Sequence, residues 1–127
     1  MMITNNTFSK AQLARSPLIV TKVYELYKSV HQLYAIIPKQ YRYSLWDHMN
    51  QQTHYIIYHI IKAVQNSKPE IKKRSLEKAN DQLAVLKLSV LLGAESKAFS
   101  MTIYNTINQQ MNEVGCMIGG WIRSIRT

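Results

Sequence analysis

Apolar residues recur along the chain at alternating spacings of three and four, which places them on one face of an α-helix. In residues 18–37 this face is formed by Val23, Leu26, Val30, Leu33 and Ile37. Pro38 follows, and proline disfavours helical geometry in the residue before it. We therefore predict a first helix over residues 18–37.

Residues 40–66 carry two adjacent apolar stripes and are predicted to form the second helix. The inner stripe consists of Leu45, Met49, Ile56, Ile60 and Val64, and the second stripe of Trp46, Ile57 and Ile61. Together the two stripes form an apolar arc that is wider than the arc needed to pack against one neighbouring pair of helices.

The third predicted helix begins near Ser67, a good N-cap, with Pro69 and Glu70 in its first turn. Its first half is charged, whereas residues 83–92 are apolar on nearly every side and need cover on every side. We expect Gly93 to stop this helix.

The fourth predicted helix covers residues 102–125, and its face includes Ile107, Met111 and Ile118. Gly115 and Gly119 lie one turn apart on one face. Glycine inside a helix costs about 1 kcal/mol relative to alanine, so the pair indicates close approach of another backbone. The alternative is that glycine is merely tolerated there.

Four amphipathic helices with short links predict an all-α fold, an antiparallel up-down-up-down four-helix bundle. We assign residues 17–127 to this domain. Residues 1–16 are polar and lack periodicity, which predicts a flexible N-terminal tail.

The excess apolar surface indicates a homo-oligomer, because large exposed apolar patches usually mark interfaces. The alternative is that these are ordinary surface residues. The predicted interface residues are Trp46, Ile57, Ile61, Leu88, Leu91, Leu92, Gly115 and Gly119.

Sixteen lysine and arginine residues face seven acidic ones, giving a net charge of +9. This excess predicts a polyanionic partner, although solubility alone is the other explanation. We see neither a secretory signal nor an apolar run long enough for a membrane span, and expect a cytoplasmic protein of a bacterial host or a phage.

The sequence offers little for catalysis. The four histidines and Cys116 lack metal-ligand spacing, no acidic pair is poised for proton transfer, and Cys116 has apolar neighbours typical of an inert, buried thiol. We therefore predict no enzyme activity, no metal and no cofactor.

The basic residues are the informative set. Tyr41 and Tyr43 are close in sequence to Lys39 and Arg42. They are candidates for stacking on unpaired bases, or for clamping the turn between the first two helices. Arg123 and Arg126 lie at the end of the fourth predicted helix. Their alternative role is to complement the negative C-terminal end of its helix dipole rather than to bind nucleic acid. We predict that changing Lys72, Lys73, Arg74 and Lys78 together to alanine weakens RNA binding without unfolding. The binding set predicted from the residues themselves is Lys39, Arg42, Lys68, Lys72, Lys73, Arg74, Lys78, Arg123 and Arg126.

Three segments together resemble the accessory variability determinant proteins of diversity-generating retroelements. They are residues 113–122 (EVGCMIGGWI), residues 37–45 (IPKQYRYSL) and residues 83–88 (LAVLKL). The resemblance covers roughly residues 18–125. It extends to the broader group of four-helix-bundle proteins encoded in intervening sequences of bacterial large-subunit ribosomal RNA.

The resemblance implies a non-catalytic protein that forms a homopentameric basic barrel. It also implies two partners, a reverse transcriptase and its template RNA or RNA/DNA hybrid. Lys87 matches a basic position on the family's functional surface, whereas Leu91 and Cys116 stand where related sequences can carry basic residues. Two alternatives stay open: RNA association of the ribosomal type without a polymerase, and a structural protein-interaction module.

Overall fold

The computed structural model describes residues 9–126, which are almost entirely helical. Within this range no residue is in a β-strand, and the all-α prediction is confirmed. None of these helices combines the length and the apolar character needed to cross a bilayer. The α-helices are α1 (Lys10–Arg15), α2 (Leu18–Gln32), α3 (Asp47–Gln65), α4 (Pro69–Glu95) and α5 (Met101–Ser124).

The short helix α1 lies where the sequence predicted a flexible tail, so that prediction is wrong for Lys10–Arg15. A capping box begins the helix. The Gln12 amide donates to Ser9 Oγ at 3.2 Å, and the Ser9 amide donates to Gln12 Oε1 at 2.8 Å. Leu13 packs against the core. The remainder of the predicted tail, residues 1–8, lies outside the described residues.

The connection between α2 and α3 consists of short helical turns that are not α-helical. It contains 3₁₀ turns at Leu33–Ala35 and Lys39–Tyr41 and a π-helical turn at Arg42–Trp46. The amides of Ile36 and Ile37 both donate to the carbonyl of Leu33, which tightens the end of α2 before Pro38. Regular α-helix therefore ends earlier, and resumes later, than the apolar pattern predicted.

The turn between α4 and α5 corrects the predicted role of Gly93. The helix continues past this glycine to Glu95, and Lys97 adopts the left-handed conformation with φ of 60°. The amide of Ala98 donates to the carbonyl of Gly93 at 2.8 Å, and that of Lys97 to Ala94 at 3.1 Å. These two bonds form a Schellman motif, which satisfies carbonyls that the helix end leaves free.

Each of the four long helices contacts two others: α2 contacts α3 and α5, and α4 contacts α3 and α5. Their apolar faces meet in one core, and the Lys22–Glu113 ion pair joins α2 to α5 at 2.9 Å. The largest fully buried side chains include Leu26, Met49, Ile56, Ile60, Leu76, Leu83, Leu86, Ile107, Met111 and Ile118.

Candidate nucleic-acid interface

Lys72 joins three helix ends. Its ammonium group donates to the carbonyl of Ala63, near the end of α3, at 2.8 Å. The same group lies 5.6 Å from the centroid of the Trp121 ring in the last part of α5. The start of α4 therefore lies beside the end of α3 and the end of α5.

This arrangement gathers cationic side chains from three helices at one end of the molecule, which we call the basic end. Lys62 is in the last turn of α3, and Arg123 in the last turn of α5. Glu70, in the first turn of α4, is the acidic side chain among them. Sequence reasoning missed Lys62. The cations of the basic end are Lys62, Lys68, Lys73, Arg74, Arg123 and Arg126, all exposed except the half-buried Lys73.

Most of the positive charge in the molecule has no carboxylate beside it. Within residues 9–126, ion pairs form only at Lys22, with Glu25 at 3.9 Å and with Glu113 at 2.9 Å. The hydrogen bond to Glu113, followed by its negative charge, raises the pKa of Lys22. The cations of the basic end have no such partner and are open to an external anion.

Lys72, a member of the predicted binding set, also makes a structural contact. Its side chain is half-buried and its ammonium group satisfies the Ala63 carbonyl. The predicted four-residue variant would therefore remove a contact between helices as well as charge.

We expect Lys72→Ala to lower the free energy of unfolding by about 1 kcal/mol, because a hydrogen bond to a helix-end carbonyl and packing on Trp121 are lost. Arg74→Ala is the matched control and should change it by less than about 0.5 kcal/mol, since Arg74 is exposed. Urea denaturation followed by circular dichroism measures both. Equal stability of the two variants would contradict the structural role.

Three of the other predicted binding residues, Lys39, Arg42 and Lys87, lie outside the basic end. Lys39 and Arg42 precede α3, whose 19 residues separate them from the basic end by about 28 Å. Lys87 is half-buried between α4 and α5, with its ammonium group 3.9 Å from where a Cβ at Gly115 would lie. Lys78, by contrast, is exposed on α4 one turn after Arg74, and both Lys78 and Lys62 act on His59, so it borders the basic end.

His59 is a buried histidine of α3. Its ring lies against Tyr55 and Tyr58, with centroids 4.4 Å and 5.0 Å away, and its Nδ1 has no hydrogen-bond partner. Burial, and then the charges of Lys78 and Lys62, lower the pKa of His59 below its ordinary value of 6.5. The shift favours the neutral form of the His59 ring.

The predicted interface residues divide into two groups. Trp46, Ile57 and Ile61 are half-buried against their own chain. A Cβ at Gly115 would lie 3.3 Å from Cδ2 of Leu83, and one at Gly119 would meet the Arg123 side chain. Both neighbours are side chains, so the predicted close approach of another backbone is not seen within the described part of the chain.

The α4 residues of the predicted interface, by contrast, face outward. Leu88 is 68% exposed and Leu92 56%. Val85, which the prediction missed, is 46% exposed and lies on the same side of the helix, three residues before Leu88. We call the exposed residues Val85, Leu88, Leu91 and Leu92 the apolar face of α4.

The candidate chemistry is sparse in the described part of the chain. Among residues 9–126, no three histidine, cysteine or acidic side chains lie close enough together to hold a metal ion. Cys116 is exposed, which corrects the expectation of a buried thiol.

Comparison with known proteins agrees with the resemblance noted in the sequence. No curated protein matches the chain. A family model described as bAvd-like matches residues 17–125, which includes all four long helices. The resemblance to accessory variability determinant proteins is thereby confirmed, and the chain belongs to the bAvd-like family.

Proposed function

We propose that this chain is a non-catalytic accessory protein of a diversity-generating retroelement. In this role it binds the reverse transcriptase and its template RNA, or the RNA/DNA hybrid, and supports mutagenic reverse transcription. Membership of the bAvd-like family supports the accessory role. The cations of the basic end, which lack carboxylate partners, are the observation that supports nucleic acid as the ligand.

The basic end is suited to phosphate in general rather than to a particular sequence. Lysine and arginine that neutralise phosphates release bound counterions, so affinity falls steeply as salt rises. The side chains come from three different helices and are mostly exposed, so a flexible strand can reach several of them at once.

We propose an antiparallel up-down-up-down four-helix bundle for the domain, supported by the contacts of each long helix with two others. The family resemblance implies assembly of five such bundles into a barrel. The apolar face of α4 supports contact between copies, because it leaves large apolar side chains exposed on a single chain.

Removing three cations of the basic end tests the proposal. We expect Lys68→Ala, Arg74→Ala and Arg123→Ala together to weaken single-stranded RNA binding at least tenfold. The slope of log affinity against log salt should fall in magnitude by about 2, since each lost contact removes about 0.7. The variant keeps Lys72, and so the contact between helix ends. Fluorescence anisotropy at several salt concentrations measures both quantities.

A matched control lowers the net charge by three elsewhere: Lys10→Gln, Gln109→Glu and Asn112→Glu. All three side chains are exposed, and none belongs to the basic end or to the turn between α2 and α3. Equal losses in the two variants would contradict a localised site. RNA binding without co-purification of the reverse transcriptase would favour the ribosomal intervening-sequence alternative, and absence of RNA binding would favour the protein-interaction module.

A further inference from the structure

We infer that the turn between α2 and α3 is a second nucleic-acid contact, a stacking platform for unpaired bases formed by Arg42 and Tyr43. The inference rests on the proposed function for the class of its ligand. It adds a separate site, at the far end of α3 from the basic end, with a preference for single strands.

A chain of contacts fixes the guanidinium group of Arg42. The Trp46 Nε1–H donates to the carbonyl of Val30 at 2.9 Å, which ties the indole to α2. The Tyr34 ring meets that indole edge to face, with centroids 4.9 Å apart. Arg42 then lies over the Tyr34 ring, its Cζ 4.7 Å from the centroid. The cation is thus held in place by an aromatic ring rather than neutralised by a carboxylate.

Tyr43 follows Arg42 in the same helical turn and exposes its ring to solvent. It is 84% exposed, more than any other large apolar or aromatic side chain in residues 9–126, and its ring has no partner within that range. Tyr41, by contrast, packs against the core, so clamping of the turn explains Tyr41 and not Tyr43. Both Arg42 and Tyr43 belong to the π-helical turn, a conformation frequent at functional sites.

The charge around this ring favours a polyanion. From Leu26 to Trp46 the sequence carries Lys28, Lys39 and Arg42 and no aspartate or glutamate. The next residue, Asp47, lies one turn after Tyr43, and its carboxylate accepts a hydrogen bond from Gln51 Nε2 at 3.0 Å. The end of α4 comes close to Leu45 and brings Glu95 and Lys97, one charge of each sign. A phosphate beside Tyr43 would therefore meet a net positive surface.

An exposed aromatic ring beside arginine binds the face of a base, and only an unpaired base offers that face. Stacking tolerates any sequence because every base has a π-face, whereas bases in a duplex are already stacked on one another. The platform should therefore bind single strands in preference to duplexes. Phosphate contacts alone distinguish the two poorly.

Two variants of Tyr43 test the platform in the full-length protein. Tyr43→Leu removes the aromatic ring and keeps an apolar side chain, whereas Tyr43→Trp keeps a stacking surface. We expect Tyr43→Leu to weaken binding of an unstructured RNA, and of the matching DNA, about tenfold. Binding of a duplex of equal length should change less than twofold, and Tyr43→Trp should retain native affinity for all three probes.

The salt dependence separates this site from the basic end. Tyr43→Leu removes no charge, so the slope of log affinity against log salt should stay as in the native protein. An equal loss for single strand and duplex, or no loss for either, would overturn the platform. If the native chain binds none of the probes, the platform and the proposed function both fail. If the basic-end variant is weakened and Tyr43→Leu binds normally, the platform alone fails.

Discussion

Gly93→Ala is expected to lower the free energy of unfolding by about 2 kcal/mol. A Cβ at this position would overlap Cε2 of Phe99, would lie 2.6 Å from Cζ of the same ring and would crowd Leu45 at 3.2 Å. Phe99 is buried and holds the turn between α4 and α5, so its ring has little space to move. Overpacking costs about 1–3 kcal/mol, and an overlap this close with a buried ring lies at the upper end, so about 2 kcal/mol remains after subtracting the roughly 1 kcal/mol that alanine contributes to helix stability.

Gly120→Ala is the matched control on α5. The nearest atom to a Cβ there is Nη2 of Arg123 at 3.9 Å, at the end of a flexible side chain. We expect this variant to gain up to about 1 kcal/mol, because helix propensity improves without a clash. Urea denaturation of both variants shows whether they change the free energy of unfolding in opposite directions. Gly93→Ala as stable as the native chain would show that Phe99 moves aside at little cost.

Gly93 also illustrates why some local structure could not be predicted from the sequence. A glycine near the end of an apolar run has two common uses, a left-handed helix end or room for a neighbouring side chain, and both look the same in a sequence. Here Phe99, six residues later, takes the space, and Lys97 adopts the left-handed conformation that favours glycine. Only tertiary packing decides between the two.

The four long helices were predictable within a few residues at most ends, because buried apolar faces decide where they form. The short elements were not, since they depend on single contacts. The signal for α1 was the Ser9–Gln12 capping pair, too short a pattern to stand out in a polar segment. The π-helical turn ends at Trp46, whose indole bonds to the carbonyl of Val30, a long-range contact with no sequence signature.

The candidate site was predictable only in part for a similar reason. Antiparallel helix order was enough to expect the start of α4 near the end of α3. The sequence could not show that Lys72 is used in the structure while Arg74 stays free, because neighbouring cations on one helix look alike until their surroundings are known. It also could not show that Arg42 stacks on Tyr34 at the opposite end of the molecule.

Leu88→Glu combined with Leu92→Glu is expected to convert the proposed oligomer to monomers at micromolar concentration. Burying a leucine side chain stabilises an interface by up to about 1.5–3 kcal/mol, and these two are more than half exposed on the single chain. Losing both contributions weakens association by about 3 kcal/mol, a factor of roughly 10², before the cost of burying two carboxylates is counted. Light scattering coupled to size-exclusion chromatography measures the mass.

Gln109→Glu with Asn112→Glu is the control, because it adds the same two charges at exposed polar positions of α5 and leaves the apolar face of α4 intact. A native chain that is already monomeric, or an unchanged mass for the leucine variant, would contradict the role of this face. Assembly also affects RNA binding, because each subunit contributes one basic end. An oligomer presents several basic ends to one RNA, so the monomeric variant should lose avidity for long RNA while keeping the affinity of a single basic end for a short one.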